Sequence, residues 1–153
     1  MSNNNRPERR TALVARELRR LNIDIAALSE TRLAGEGQLT EINGGYTFFW
    51  RGLPQEQRRI HGVGFAIETK LANKLEELPV GINERLMTLR LRLSRDQFAT
   101  IISAYAPTMD AEEDVKEVFY SQLDQILSNI PKYDKIILLG DFNARVGNNS
   151  ALW

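Results

Sequence analysis

The apolar positions of this chain recur with two periods, one helical and one alternating. Between residues 7 and 21, Val14, Leu18 and Leu21 fall on one helical face, and Pro7 suits a first-turn position, so a helix is expected there. After a polar break, residues 23–29 form a short apolar run of the kind that makes a buried strand, with Glu30 directly at its end. Gly44-Gly45 punctuates, and residues 46–50 are aromatic and strand-like. A polar loop over 51–59 leads to another expected strand at 62–67. Alternation is clean from 86 to 93, where Met87, Leu89, Leu91 and Leu93 face one way and Thr88, Arg90 and Arg92 the other. Residues 98–106 read as its partner strand, stopped by Pro107.

A second helix is expected to open with a capping box, Asp110 with Glu113. Its core stripe would be Val115, Val118, Phe119, Leu123, Ile126, Leu127 and Ile130, and Pro131 closes it. Residues 135–140 form a last apolar strand, with Asp141-Phe142-Asn143 just past its carboxyl end. Strands mixed with two helices imply a layered α/β or α+β fold. No repeat, low-complexity segment or long linker divides the chain, so a single domain over 1–153 is expected.

Composition narrows the function classes. At 153 residues, with 42% hydrophobic and 26% charged positions, the chain can bury a core of ordinary size. No apolar run approaches the ~20 residues that span a bilayer, and residues 1–10 are too polar for a secretory signal. The absence of cysteine excludes disulfides and thiolate metal sites. Twenty basic residues balance 20 acidic ones, so net charge alone does not indicate nucleic acid. The charges are nevertheless uneven. Arg6, Arg9, Arg10, Arg16, Arg19 and Arg20 crowd the start, and Asp110, Glu112, Glu113, Asp114 and Glu117 cluster later. Such runs are ordinarily solvated helix faces.

Acidic and polar side chains recur where the expected strands end: Glu30 after 23–29, Tyr105 near the end of 98–106, Asp141 and Asn143 after 135–140. In open α/β sheets ligand sites gather at such strand ends. Two carboxylates converging there would suit a hard, oxygen-loving cation such as Mg²⁺. Plainer roles stand beside this one. Asp141 and Asn143 could form an Asx-turn, Tyr105 could be a half-buried strand aromatic, and Glu30 a solvated loop acid.

Ser29-Glu30-Thr31, Ser103-Ala104-Tyr105-Ala106-Pro107 and Gly140-Asp141-Phe142-Asn143 occur in this order, and together they resemble the endonuclease/exonuclease/phosphatase superfamily. Within it, residues 28–32, 61–66 and 140–147 are most similar to the apurinic-type endonuclease domains of RTE-like non-LTR retrotransposons and of craniofacial development protein 2-like proteins. The resemblance implies a four-layered α/β sandwich of the DNase I-like type and Mg²⁺-dependent (or Mn²⁺-dependent) hydrolysis of DNA phosphodiesters. It implies Glu30 as a metal ligand and Asp141 as the group that orients or deprotonates the attacking water. Asn143 would then donate to the phosphate, and the Tyr105 hydroxyl would lie near the phosphate or leaving oxygen. Such roles suit in-line attack on a phosphodiester.

The resemblance also implies that parts are missing. Family members begin with a strand ending in a Trp-Asn-like segment, and they run on past Gly-Asp-Phe-Asn to an Asp-His pair. Neither has a counterpart here, and the single histidine, His61, does not match the catalytic one. The expectation is an incomplete domain of retroelement origin, with little or no activity alone and with an exposed sheet edge open to pairing. DNA is the expected partner through its phosphate backbone, no membrane partner is expected, and the location would be nuclear or cytoplasmic, with nuclear favoured. The alternative is a non-catalytic remnant serving as an interaction or nucleic-acid-binding module. A third reading keeps the chemistry and changes the substrate to a phospholipid or inositol phosphate.

Overall fold

The computed structural model describes residues 7–54 and 62–142. The first helix, α1 (Pro7–Arg20), stops where Asn22 turns left-handed at φ 58°. There the Ile23 amide donates to the Leu18 carbonyl at 3.0 Å and the Asn22 amide to the Arg19 carbonyl at 3.1 Å. This is a Schellman-type terminus with Asn in the left-handed position. The buried stripe of α1 is Thr11, Ala15 and Leu18, while Val14 and Leu21 are exposed. The expected stripe of Val14, Leu18 and Leu21 is therefore rotated. The reason lies opposite: Tyr46 and Phe48 fill the space under the helix, and only a small residue such as Ala15 fits against them.

Four antiparallel strands make the first sheet: β1 (Ile25–Ser29), β2 (Glu36–Glu41), β3 (Tyr46–Arg51) and β4 (Val63–Glu68), in the order β1-β4-β3-β2. A single helical turn, α2 (Thr69–Ala72), follows β4. The second sheet is β5 (Val80–Asn83), β6 (Leu86–Ser94), β7 (Gln97–Tyr105) and β8 (Lys135–Asp141), paired in chain order. Its first two pairings are antiparallel. The last, β7 with β8, is parallel and needs a crossover, supplied by α3 (Glu113–Ser128).

The sheets face each other over Phe49, Val63, Phe65 and Ile67 from one side and Met87, Leu89 and Ile101 from the other. Across that core the buried Ser103 hydroxyl donates to the Gly64 carbonyl at 3.0 Å. On the outer face of the second sheet, Phe119 and Leu123 of α3 pack on Leu86, Ile102 and Ala104. With α1 on the outer face of the first sheet, the result is a four-layered α/β sandwich, helix–sheet–sheet–helix.

Several local expectations shift. No capping box opens α3: the helix starts at Glu113, its N-cap is Glu112, and no side chain caps it. Glu113 and Asp114 in the first turn instead place negative charge against the positive end of the helix dipole. Val115 and Val118 are exposed, so the core stripe is narrower than the apolar pattern. Of the alternating row on β6, Met87 and Leu89 are buried but Leu93 is 49% exposed, at the register shift between Arg92 and Ser94 beside the hairpin into β7.

Asp134, in the turn before β8, is the polar anchor of the second sheet. Its carboxylate accepts from Arg90 Nε at 2.8 Å, Arg90 Nη2 at 2.9 Å and the Thr100 hydroxyl at 2.8 Å. The Arg90 guanidinium also lies over the Phe98 ring, 3.9 Å from its centroid. The hydrogen bonds from Arg90, then that from Thr100, hold the Asp134 carboxyl below its ordinary value near 3.8. A depressed folded-state pKa contributes stability that is present above the unfolded value and is lost as pH falls through the folded one. Asp134→Ala should therefore cost about 2–3 kcal/mol at neutral pH, the usual range for hydrogen bonds to a charged group. The cost should shrink below pH ~4, which urea melts of both proteins across pH 2.5–7 would measure.

Candidate active site

β1, β7 and β8 end at one place, and each delivers a chemically active side chain there. Glu30 follows β1, Tyr105 closes β7, and Asp141 closes β8 directly opposite Tyr105 in the parallel register. Convergence comes from the sandwich itself, since the ends belong to strands of two different sheets. Along β7, Ile101 and Ser103 point inward, and Tyr105 continues that row toward β1.

Glu30 leaves its strand with φ 52°, and Arg32 follows at 59°. A left-handed glutamate is uncommon and costs on the order of 1–2 kcal/mol; such outliers gather at functional sites. Here the kink turns the chain out of β1 and aims an exposed carboxylate at Tyr105. Thr31 meets the backbone of Gly62, its amide reaching the Gly62 carbonyl at 3.4 Å. A Cβ on Gly62 would collide with the Thr31 hydroxyl, so the closeness of this turn depends on glycine.

The Tyr105 ring is buried and its hydroxyl donates to the Glu30 carboxylate. Burial raises its pKa first, then the negative charge of Glu30, with Asp141 adding to the rise and the Arg85 guanidinium opposing it. The phenol stays protonated at neutral pH, as a donor needs. The site thus holds two carboxylates acting on one hydroxyl in a partly desolvated corner.

Behind Asp141 the backbone is tight. Gly140 has φ 136°, and a Cβ there would overlap the Ala104 carbonyl. The Ala106 amide donates to the Asp141 carbonyl at 2.8 Å, joining the two strand ends. Phe142 packs with Ala104, Ala106 and Phe119, which anchors the segment after the strand under α3. In the Gly140-Asp141-Phe142 run the glycine thus allows close approach and the phenylalanine anchors the segment, with the acid held between them. Asn143, and with it His61, Arg58 and Arg59, lies outside the described residues.

One residue absent from the expected set joins the group. Arg85, in the bend just before β6, donates from Nη1 to the Tyr105 carbonyl at 3.1 Å and places its guanidinium 5.3 Å from the Tyr105 ring centroid. Its own amide is held by the Asn83 side chain at 2.8 Å, which is held in turn by Gln122 of α3 at 2.8 Å. The register that aligns Leu86 with Ala104 carries it there. The only sequence signal was an arginine at a hairpin bend, which marks no function by itself.

The arginine-rich start is partly consumed by the fold. Arg19 donates to the Gly44 carbonyl at 3.1 Å and lies 3.7 Å from Glu68. Arg20 pairs with Glu17, and Arg51 lies 3.7 Å from Glu36. Arg10 borders an apolar cleft of about 200 Å³ beside Glu30, with Val14, Leu28, Phe48 and Trp50. Among the described residues no three His, Cys, Asp or Glu side chains gather as a metal cluster. Glu30 and Asp141 are the acids available to a cation here. Among those residues, also, no helix is long and apolar enough to cross a membrane.

Comparison with known proteins agrees with this geometry. Craniofacial development protein 2 of Bos taurus is 32% identical over 139 residues, covering 89% of this chain and 22% of that protein. The same protein of Tragulus javanicus is also 32% identical, with 23% of its length covered. This chain therefore spans less than a quarter of these relatives. Among solved structures, a humanized D. rerio TDP2 carrying 14 mutations superposes with a TM-score of 0.60 at 14% identity, over 90% of this chain and 59% of that one. At that identity the likeness shows the fold alone. The family model described as Endonuclease/Exonuclease/phosphatase family matches residues 2–150, and the chain belongs to that family.

Proposed function

We propose that this chain carries the carboxylate and phosphate-facing part of a divalent-cation-dependent phosphodiesterase site directed at DNA, and that alone it cleaves weakly or not at all. The observation carrying this reading is the meeting of Glu30, Tyr105 and Asp141 at strand ends from both sheets, beside Arg85. The donor set is oxygen-only and acidic, which is the chemistry of Mg²⁺, with Mn²⁺ as substitute. The rise that Glu30 and Asp141 impose on Tyr105 reflects the negative potential such a cation would neutralise. Glu30 would hold the ion, which when bound would polarise a phosphodiester oxygen.

The remaining steps belong to the chain. Asp141 orients a water for in-line attack and accepts its proton. The Tyr105 hydroxyl, already a donor to Glu30, can turn its proton to a phosphate oxygen as charge develops there. Arg85 adds positive charge beside it. By family resemblance Asn143 donates its amide to the same phosphate. DNA is favoured over a phospholipid or inositol phosphate by the similarity of residues 28–32 and 140–147 to retroelement endonuclease domains, and a nuclear location would follow. Two carboxylates are few for a cation site, and removing even one preorganised donor can cost roughly 10²–10³ in rate. That is why activity of the isolated chain is expected to be slight, and why we read it as part of a larger catalytic domain.

Titration calorimetry with Mg²⁺ tests the reading. Saturable binding is expected, and Glu30→Gln should abolish it. No binding by the unaltered chain would sink the metal assignment and leave the non-catalytic interaction module as the better account. Mg²⁺-dependent DNA cleavage by this chain, lost in Asp141→Ala, would instead contradict the expected inactivity.

A further inference from the structure

The hairpin between β5 and β6 is tight and of an unfavoured kind. Two residues, Glu84 and Arg85, join Asn83 to Leu86, which face each other across the turn. Two-residue hairpins ordinarily take a left-handed φ at one or both of these positions, so that the turn matches the twist of its strands. Neither Glu84 nor Arg85 has a positive φ. Side chains hold this turn instead. Asn83 Oδ1 accepts from the Arg85 amide at 2.8 Å, in the manner of an Asx-turn. Asn83 Nδ2 donates to Gln122 Oε1 at 2.8 Å, and Gln122 lies on α3, 39 residues further along the chain. With its oxygen committed to one partner and its amino group to the other, the Asn83 side chain has a single orientation.

The bend carries Arg85, and Arg85 is joined to Tyr105 three times. Its carbonyl accepts from the Tyr105 amide at 2.8 Å, its Nη1 donates to the Tyr105 carbonyl at 3.1 Å, and its guanidinium lies 5.3 Å from the ring centroid. The bend therefore grips the strand end from which the Tyr105 hydroxyl reaches Glu30. The same stretch of α3 also supports the other acid. Phe119, three residues before Gln122 and so on the same side of the helix, packs in one cluster with Phe142, which follows Asp141 directly. A site residue carried by a bend is only as well placed as the groups that lock the bend. We propose that Asn83 and Gln122 are positioning residues of the candidate site, through which the crossover helix fixes Arg85 and Tyr105 relative to Asp141. For its chemistry this rests on the phosphodiesterase reading, but the placement of Tyr105 can be measured with neither cation nor substrate.

Nuclear magnetic resonance on the full chain tests it. Gln122→Leu removes the acceptor at a half-buried position and keeps the bulk. The Tyr105 amide should then exchange its hydrogen roughly tenfold faster, while that of Ile102, in the middle of β7, keeps its protection. The nuclear Overhauser effect between the Arg85 guanidinium and the Tyr105 ring should weaken in parallel. Gln122→Glu retains an acceptor for Asn83 Nδ2 and should behave as the unaltered chain. Asn83→Ala breaks both bonds and should do more than Gln122→Leu, and adding Gln122→Leu to it should change nothing further. Equal acceleration at Tyr105 and Ile102 would overturn the proposal, since Gln122 would then support only general stability. An Arg85–Tyr105 contact unchanged in Gln122→Leu, a Gln122→Glu as damaging as Gln122→Leu, or additive effects in the double variant would overturn it too. The Mg²⁺ titration fails separately: no cation uptake, with the Tyr105 changes still present, would sink the phosphodiesterase reading and leave the placement intact.

Discussion

Gly140→Ala is expected to destabilise the chain by about 3 kcal/mol or more, enough to consume much of a typical domain's stability. Two terms add. The backbone there has φ 136°, a region that a residue with a Cβ enters at a cost of roughly 1–3 kcal/mol. The added carbon would also overlap the Ala104 carbonyl, a rigid backbone atom on the neighbouring strand that cannot swing aside. Relief requires β8 to move away from β7 and to carry Asp141 out of register with Tyr105. Gly35→Ala is the control. Gly35 also has positive φ, at 65°, but nothing lies within 4 Å of its absent Cβ. Strain alone then predicts a loss of about 1 kcal/mol. Urea denaturation of the two variants should separate them by at least ~2 kcal/mol, and equal losses would show that the contact with Ala104 does not matter.

Phe119→Ala should cost about 3–4 kcal/mol, the range for deleting a buried aromatic ring. Phe119 is 2% exposed and packs with Ile102, Ala104 and Ala106 beneath α3, and Phe142 packs against the same group. A cavity there would loosen both the crossover helix and the segment after Asp141. The adjacent Val118, 56% exposed, should tolerate alanine to within about 0.5 kcal/mol. Thermal melts of the pair would check the contrast. A large loss at Val118 would mean that the apolar face of α3 is wider than the four layers show.

That contrast marks the boundary between sequence and structure. Periodicity located most elements because burial on one face imposes a repeat: residues 86–93 alternate, and β6 is Leu86–Ser94. It missed β2, β5 and α2. The β2 sequence Glu-Gly-Gln-Leu-Thr-Glu has one large apolar residue, and its strand exists because β3 offers it a ladder of backbone partners. Likewise Val118 and Phe119 are both apolar and adjacent, and only the position of Ile102 and Ala104 decides which is buried. The capping box at Asp110 and Glu113 failed because the Ala111 amide donates to the Thr108 carbonyl, which puts Asp110 in a turn, and the helix begins only at Glu113 with Glu112 as its N-cap.

For the candidate site the division follows distance along the chain. Glu30, Tyr105 and Asp141 were legible one by one, because each follows or closes an apolar strand and sits in a family motif. The family itself, and the layered fold, were carried by those local patterns. Their meeting was not legible: 74 residues of sequence separate Glu30 from Tyr105, and only the face-to-face packing of two sheets gives them a shared hydrogen bond. Arg85 was invisible for the same reason, since its role comes from the register of β6 on β7. Local patterning depends on a residue's own solvent exposure and is written in its neighbours. Register, sheet stacking and the left-handed turn at Glu30 depend on what lies across the core, which no stretch of neighbouring residues specifies.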